Sequence, residues 1–269
     1  MCMFDAMRIP TGRQAEIIRE LKQSQRVSVA DLARRLDTSE VTIRRDLAEL
    51  ESIGLLRRVR GGAVSAMLRG EELPFAMREL EYAEEKQRIA AAAVALIADG
   101  ESVVVDSGTT GLAAAREIRG RQVTVMALSL SAINVLADAE RVSMVLPGGM
   151  VRSNELSVIG PMVQDNLAAL RFDTMLLTCC GFDADRGVTA FDMQDAAVKR
   201  AALHASARVV AMVDGSKFVR TAMAVVCEAS AIDVVVTDSS APAEAVARLE
   251  AAGVHVLCAG ASANARVDS

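Results

Sequence analysis

Tryptophan is absent from the 269 residues, and the only aromatics are one tyrosine and six phenylalanines. So few rings argue against single-strand nucleic-acid binding by base stacking. They also oblige the core to be built from Ala, Val, Leu, Ile and Met. Histidine is scarce, with only His204 and His255, so zinc chemistry or a catalytic imidazole is not expected. Cysteines stand at 2, 179, 180, 227 and 258 without metal-ligand spacing. Cys179 and Cys180 lie in an apolar strand pattern and read as reduced packing residues. No run approaches the ~18 apolar residues of a membrane span. The longest, 89–98, is alanine-rich and followed by charge. The N-terminus lacks the apolar core of a signal peptide. The expectation is a cytoplasmic chain with no membrane partner, no metal, no cofactor and no catalytic residues.

What is present is aliphatic: 52% of the chain is hydrophobic and 24% charged, enough for a well-buried core. The net charge of −5 is unevenly spread. Residues 8–70 carry 13 basic and 8 acidic side chains, whereas 71–269 carry 17 and 26. A basic head on an acidic body implies that only the head meets a polyanion.

The head is organised by caps. Thr11 and Gln14 have the spacing of a capping box ahead of Ile17, Ile18 and Leu21. Ser28 precedes a second helical pattern with Val29, Leu32, Ala33 and Leu36 facing inward. After a turn at Asp37 and Thr38, Ser39 caps a third helix that runs to about Ile53 and stops at Gly54. Residues 55–64 then read as a two-stranded hairpin turning at Gly61 and Gly62. At about 100° per residue, Ile43, Leu47 and Leu50 form one stripe of the third helix, and Val41 and Arg45 lie opposite, flanked by Thr42 and Arg44. This is the form of a recognition helix whose first turns enter the major groove of duplex DNA. Arginine can contact guanine bidentately, and a valine or threonine methyl can meet thymine. The first-turn amides near Ser39 favour a phosphate. Arg57, Arg58 and Arg60 on the hairpin are placed to hold the DNA backbone or enter the minor groove.

The body alternates strand and helix. Strands are expected at 102–106, 123–127, 142–146, 174–178, 209–213, 234–236 and 254–257. Helices are expected at 79–98, 110–119, 130–138, 161–169, 192–206 and 242–252. Most of the strands are continuous aliphatic runs, as when both faces of a parallel sheet are covered. The domains expected are a mainly-α winged helix-turn-helix at 8–66, a linker at 67–78, an α/β domain with a largely parallel sheet flanked by helices at 79–260, and a disordered tail at 261–269. Ligands of such sheets bind beyond the carboxyl ends of the strands. There the sequence places Asp106, Ser107, Gly108, Thr109 and Thr110 ahead of a helix, a fit for an anion. Gly148 and Gly149, Gly181 to Asp183, and Asp214 to Lys217 follow other strands. Lys217 is the natural counter-charge to a phosphate, and Lys199 is a second candidate.

Segment 13–64 resembles the N-terminal domain of the DeoR family of bacterial sugar-metabolism regulators. The resemblance rests on Arg13, Ile17, Leu21, Val27, Ser28, Val29, Leu32, Ala33 and Ser39. It continues through Thr42, Ile43, Arg44, Arg45, Asp46, Leu47, Leu50 and Gly54 to the run from Arg57 to Ala63. Arg60 stands where that family often has histidine, which adds positive charge. Asp46 reads as structural, bonding neighbouring backbone or arginine. Residues 80–238 resemble the family's C-terminal domain through Lys86, Asp106 to Thr110, Gly148, Gly149, Gly160, Pro161, Asp173, Gly181, Gly187, Thr189, Val198 to Arg200, Asp214 and Ser216 to Phe218. That resemblance implies a fold like ribose-5-phosphate isomerase and glucosamine-6-phosphate deaminase, and a phosphorylated sugar as effector. It implies that Ser107, Gly108, Thr109, Thr110 and Lys217 surround the phosphate, and that Asp106, Gly148, Gly149, Asp183 and Lys199 line the sugar end. Two departures stand out. The run from Ala127 to Leu130 replaces a common Thr-Asn-Ser-Leu, which puts an aliphatic side chain at Leu128. Asp195 replaces a usual glutamate.

The leading expectation is a regulator, most often a repressor in such families, whose grip on operator DNA depends on a bound sugar phosphate. Groove reading of this type implies a homodimer or homotetramer. The alternative is a sugar-phosphate isomerase or deaminase with an appended DNA-binding head. Asp183, Asp192 and Asp195 are its possible carboxylates, though they form no compelling cluster. A third reading is a DNA-binding scaffold with an inactive pocket, for which Leu128 is the best support.

Overall fold

The computed structural model describes residues 12–24, 26–52, 55–65, 75–153 and 155–260. The chain divides into two compact units, Met1–Glu81 and Tyr82–Ser269.

The first unit runs α1 (Gly12–Ser24), β1 (Arg26–Ser28), α2 (Val29–Arg35), α3 (Glu40–Ser52), β2 (Leu56–Val59), β3 (Gly62–Ser65) and α4 (Phe75–Leu80). Ser28 caps α2 by accepting the amide of Asp31, and Ser39 caps α3 by accepting that of Thr42 at 3.1 Å. Ile17, Leu32, Ile43, Leu47 and Leu50 are fully buried and make the core. The expected stripe on α3 is therefore the buried one. The hairpin gains a third strand, with order β1-β3-β2 and Val27 opposite Ala63. Residues 26–28 are too short for a periodic signal and read only as the approach to a cap. The close pairing requires a glycine, since a Cβ at Gly62 would lie 1.9 Å from the carbonyl oxygen of Val27.

The Thr11 half of the capping box, the stop at Ile53 and Gly54, most of the expected linker and the expected tail lie outside the described residues. The end of that linker is helical, in α4, with Phe75 and Met77 buried. The single helix expected at 79–98 is interrupted at Tyr82, whose φ of +53° is left-handed. Beyond it α5 covers Ala83–Val94. Met77 joins the core of the first unit, whereas Ile89, Ala90 and Ala93 join one core of the second.

The second unit continues with β4 (Ser102–Val105), α6 (Gly108–Ile118), β5 (Val123–Ala127), α7 (Leu130–Leu136), β6 (Val142–Val145), β7 (Met150–Val151), β8 (Val158–Ile159) and α8 (Pro161–Ala168). It goes on through β9 (Phe172–Leu177), β10 (Gly181–Asp183), β11 (Gly187–Ala190), α9 (Met193–His204), β12 (Ser206–Met212), β13 (Ala224–Cys227), β14 (Val234–Thr237), α10 (Ala243–Ala251) and β15 (His255–Cys258). The seven expected strands form one sheet, ordered β15-β14-β12-β9-β4-β5-β6, in which every neighbouring pair is parallel. Two apolar clusters bury its two faces. That burial explains why the strands read as continuous aliphatic runs. Two additions were not expected, a β7–β8 hairpin and a small antiparallel sheet ordered β10-β11-β13. Their strands are two to four residues long and lie among glycines and aspartates, so they read as loops.

Candidate functional site

On α3, Val41 is 75% exposed, Arg44 and Arg45 are exposed, Thr42 is half-buried, and Ser39 is exposed ahead of them. Glu40 holds Arg44 at 2.7 Å and Glu49 holds Arg45 at 3.3 Å. Exposed pairs of this kind contribute about 1 kcal/mol or less, so a phosphate or base edge can replace the carboxylate. Arg57, Arg58 and Arg60 are all exposed on the hairpin. Glu51 accepts from both the amide and the guanidinium of Arg58, and these bonds hold its carboxyl below the usual range. Arg44, Arg58 and Arg60 share a concave surface with Val29, Leu47 and Gly62. Three cations thus face one groove between helix and wing. Asp46 is buried and accepts from Arg13 Nε at 2.5 Å and Nη2 at 3.2 Å. Its role is structural, and its hydrogen bond holds the Arg13 pKa above the ordinary arginine value.

In the second unit the chemistry gathers at the carboxyl ends of β4 and β9. Asp106 follows β4 and is 1% exposed. It accepts from the amides of Ser107 at 2.8 Å and Thr178 at 2.9 Å, and from the ammonium of Lys199. Thr178 Oγ1 lies 3.0 Å from the same carboxylate and 2.7 Å from the carbonyl of Ser107. Lys199 is itself 2% exposed, with Asp195 at 3.6 Å as a second partner. Burial alone would lower the lysine pKa, but the carboxylates of Asp106 and Asp195 outweigh it and hold it above the ordinary value. Burial pushes the Asp106 carboxyl upward against the pull of Lys199. Lys199 is thus neither a surface lysine nor a group lining an open cleft. It is an internal strut joining α9 to the loop after β4.

That strut shapes the start of α6. Ser107 is the cap residue, yet its hydroxyl does not bond the helix. It donates to Asp195 at 3.2 Å. The first-turn amides of Gly108, Thr109 and Thr110 are left without a side-chain cap, the condition for an anion at a helix N-terminus. Gly108 has φ +91°, and a Cβ there would sit 3.6 Å from Thr178 Oγ1. Lys217 closes a short turn, Gly215–Lys217, just beyond β12 and is half-buried. β12 is the parallel neighbour of β9, so the turn follows the same carboxyl edge of the sheet as Thr178.

The remaining expected residues also make structural contacts. Gly148 and Gly149 have φ of +71° and +95°, and a Cβ on Gly149 would meet Val163 Cγ2 at 2.5 Å. They press the loop after β6 against α8. Asp183 accepts from the amides of Asp185 and Arg186, both at 2.9 Å, and stabilises the β10–β11 turn. Those amides keep its carboxyl below the usual range. Leu128 is 1% exposed and belongs to the apolar core, so its side chain lines no open surface. Sequence reasoning overlooked Thr178, and treated Asp195 as a possible acid and as a replacement for a usual glutamate, not as a partner of Ser107 and Lys199. An unusual threonine at the end of an aliphatic strand was the available signal for the first.

Among the described residues, no group of three or more His, Cys, Asp or Glu could hold a metal ion, and no helix is long and apolar enough to cross a membrane.

A winged helix-turn-helix bearing arginines on its exposed face, followed by a parallel α/β unit with polar strand ends, defines a DNA-binding transcriptional regulator with a sensor domain. Residues 13–67 match the DeoR-like helix-turn-helix domain and residues 81–239 match the DeoR C terminal sensor domain, and the chain belongs to the DeoR family. It is 33% identical to the transcriptional repressor AccR of Agrobacterium fabrum, over 84% of this chain and 89% of that one. It is 34% identical to the glycerol-3-phosphate regulon repressor of Escherichia coli K12, over 86% and 92%. It is 32% identical to the putative aga operon transcriptional repressor of Escherichia coli O157:H7, over 92% and 93%. Among solved structures, ribose 5-phosphate isomerase A from Methanocaldococcus jannaschii aligns with 52% of this chain and 56% of its own at 16% identity and a TM-score of 0.40.

Proposed function

We propose that this protein represses a carbohydrate-metabolism operon and that a phosphorylated sugar in the second unit modulates its hold on the operator. Val41, Thr42, Arg44 and Arg45 read base edges, with Ser39 at the first-turn phosphate. Arg57, Arg58 and Arg60 grip the flanking backbone. The phosphate sits on the amides and hydroxyls of Ser107, Gly108, Thr109 and Thr110 with Lys217 as counter-charge. Asp106 and Lys199 hold that loop from beneath, Gly148 and Gly149 shape the neighbouring loop, and Asp183 supports the small sheet beside it. The observation that carries this reading is the α6 start without a side-chain cap, which follows β4, while Lys217 follows β12 at the same carboxyl edge of the parallel sheet. The names of the relatives, repressors of a glycerol-3-phosphate regulon and of an aga operon, fit it.

Effector binding acts by favouring one arrangement of sensor domains, which changes how two basic heads in a cytoplasmic homodimer or homotetramer span half-sites. Catalysis is not part of this reading. Asp183 supports a turn, Asp192 caps α9 by accepting two amides at 2.9 Å, and Asp195 bonds Ser107. None is left as a free base.

The test is fluorescence anisotropy on duplex DNA from upstream of the protein's own locus, across a salt series, with and without a panel of phosphorylated sugars. Salt-sensitive binding that one of them weakens is the expected result. Absence of any DNA affinity, or turnover of ribose or glucosamine phosphates, would reject the proposal.

A further inference from the structure

One edge of the parallel sheet is β6, which pairs with β5 and has no second neighbour among the described residues. Natural sheets guard a lone edge with charge, with proline or with a covering element. Residues 142–151 carry no charged side chain. Ser143 is exposed, and Val142, Met144 and Val145 are only half-buried. Pro147 stands beyond the strand and guards none of its residues. The opposite edge, β15, exposes His255 and Cys258 and no large apolar side chain.

Beside β6 the surface is apolar. Leu146, Met150, Val151 and Met162 are 63%, 61%, 46% and 60% exposed. They belong to the loop after β6, to β7 and to α8, and they are neighbours. A Cβ on Gly148 would lie 3.0 Å from Met162 Sδ, and one on Gly160 would lie 3.7 Å from Met150 Cε. The patch is firmly backed. Asn166 on α8 donates to the carbonyl of Pro147 at 2.9 Å, and the β8 partners of Met150 and Val151, Ile159 and Val158, are buried.

Four such side chains make a patch on the order of 400 Å², a size at which exposed apolar patches are often functional. A stable dimer removes about 800 Å² from each partner. The patch supplies the apolar centre of such an interface, and the β6 edge and the outer face of α8 extend it. The lack of charge selects the occupant. A nucleic acid or a charged peptide finds nothing to pair with, so the complement is another uncharged apolar face. A two-fold axis supplies that face from an identical chain, because each patch then meets its own copy. The same axis sets two copies of β6 antiparallel, so the open backbone groups of one edge can pair with those of the other.

We propose that a second copy of this chain docks here, edge to edge through β6, with Leu146, Met150, Val151 and Met162 packed on the same patch of the other copy. The inference deepens the homodimer or homotetramer of the reading above and rests on it for the need of two basic heads.

Sedimentation velocity of the full chain, over a concentration series, tests this. Wild type is compared with Met150→Glu combined with Met162→Glu, with Leu146→Glu, and with Met223→Glu as a control. Met223 is 74% exposed just ahead of β13, away from this patch in the sheet order. Facing glutamates repel across a two-fold axis, so both patch variants should halve the assembled mass and raise the dissociation constant about hundredfold or more. The mutated positions are exposed in the single chain, so circular dichroism should show both variants folded. The control should assemble like wild type. Assembly of the patch variants at wild-type strength overturns the inference alone. Dissociation by Met223→Glu only moves the interface to β13 and overturns it equally. A wild type that is monomeric at every concentration overturns the homo-oligomer of the reading above and this inference with it, whereas DNA and sugar-phosphate titrations judge the rest of that reading.

Discussion

Lys199 on α9 donates from its ammonium to the carboxylate of Asp106, 93 residues earlier in the chain, and both side chains are sealed from solvent. Removing one member of a buried pair leaves an uncompensated charge and typically costs about 3–5 kcal/mol. Lys199→Ala should therefore lose that much in urea unfolding. Lys199→Met combined with Asp106→Leu should recover a good part of it. The lysine is raised in the folded protein, so its contribution is complete below the unfolded lysine pKa and is lost as pH rises through the folded one. The pair should thus hold at neutral and mildly alkaline pH. A Lys199→Ala protein as stable as wild type would contradict this account.

Arg45 and Arg58 should fail differently. Arg45→Ala should lose about 1–3 kcal/mol of preference for the operator over random DNA. Arg58→Ala should weaken both DNAs alike and reduce the slope of log affinity against log salt by about one. Competition binding at two salt concentrations distinguishes them. Equal losses on both DNAs for both variants would remove the division between base reading and backbone contact.

Lys217→Ala should keep operator affinity and blunt the response to sugar phosphate. An unchanged effector titration would place the counter-charge elsewhere.

Gly61 and Gly62 make a paired test of the wing. Gly61 has φ +81° with open space around it, so Gly61→Ala should cost about 1–2 kcal/mol from backbone strain alone. A Cβ at Gly62 meets the Val27 carbonyl carbon at 3.0 Å as well as its oxygen at 1.9 Å. Gly62→Ala should therefore separate β1 from β3 and cost about 2–4 kcal/mol. It should also weaken DNA binding, because Arg57 and Arg58 ride on β2, which pairs with β3. Similar melting temperatures and DNA affinities for the two variants would refute the packing argument.

Acid should unfold the second unit through particular carboxylates. The amide and hydroxyl of Ser102, both at 2.7 Å, hold Asp173 below the usual range. Burial works to raise Asp238, but hydrogen bonds from Ser240 and the amide of Gly215 outweigh it. A depressed carboxyl stabilises above its unfolded value, and the contribution is lost as pH falls through the folded one. Melting temperature should drop below the ordinary aspartate range. Asp173→Asn should start lower at neutral pH and show a shallower acid decline. Parallel pH curves for variant and wild type would exclude Asp173.

Much of the fold was legible because its signals are local. Ser28 and Ser39 cap the helices their positions implied, and Ile43, Leu47 and Leu50 are the buried stripe. The strand expected at 123–127 is β5 to the residue. The site was less legible. Ser107 and Asp106 were marked by the turn between strand and helix, but their partners Thr178, Asp195 and Lys199 come from distant segments. Leu128 read as a change in a pocket, and it is a core residue.

The order of side chains along the chain sufficed for most of the helices, the seven parallel strands and the basic face of α3, because periodicity and capping act within a few residues. Only the tertiary structure decided that residues 26–28 join the wing, that Tyr82 breaks a helix, and that Lys199 lies beneath the start of α6. Those outcomes depend on which surfaces meet across dozens of residues. Burial, which no local pattern records, then determines whether a charge is a ligand or a strut.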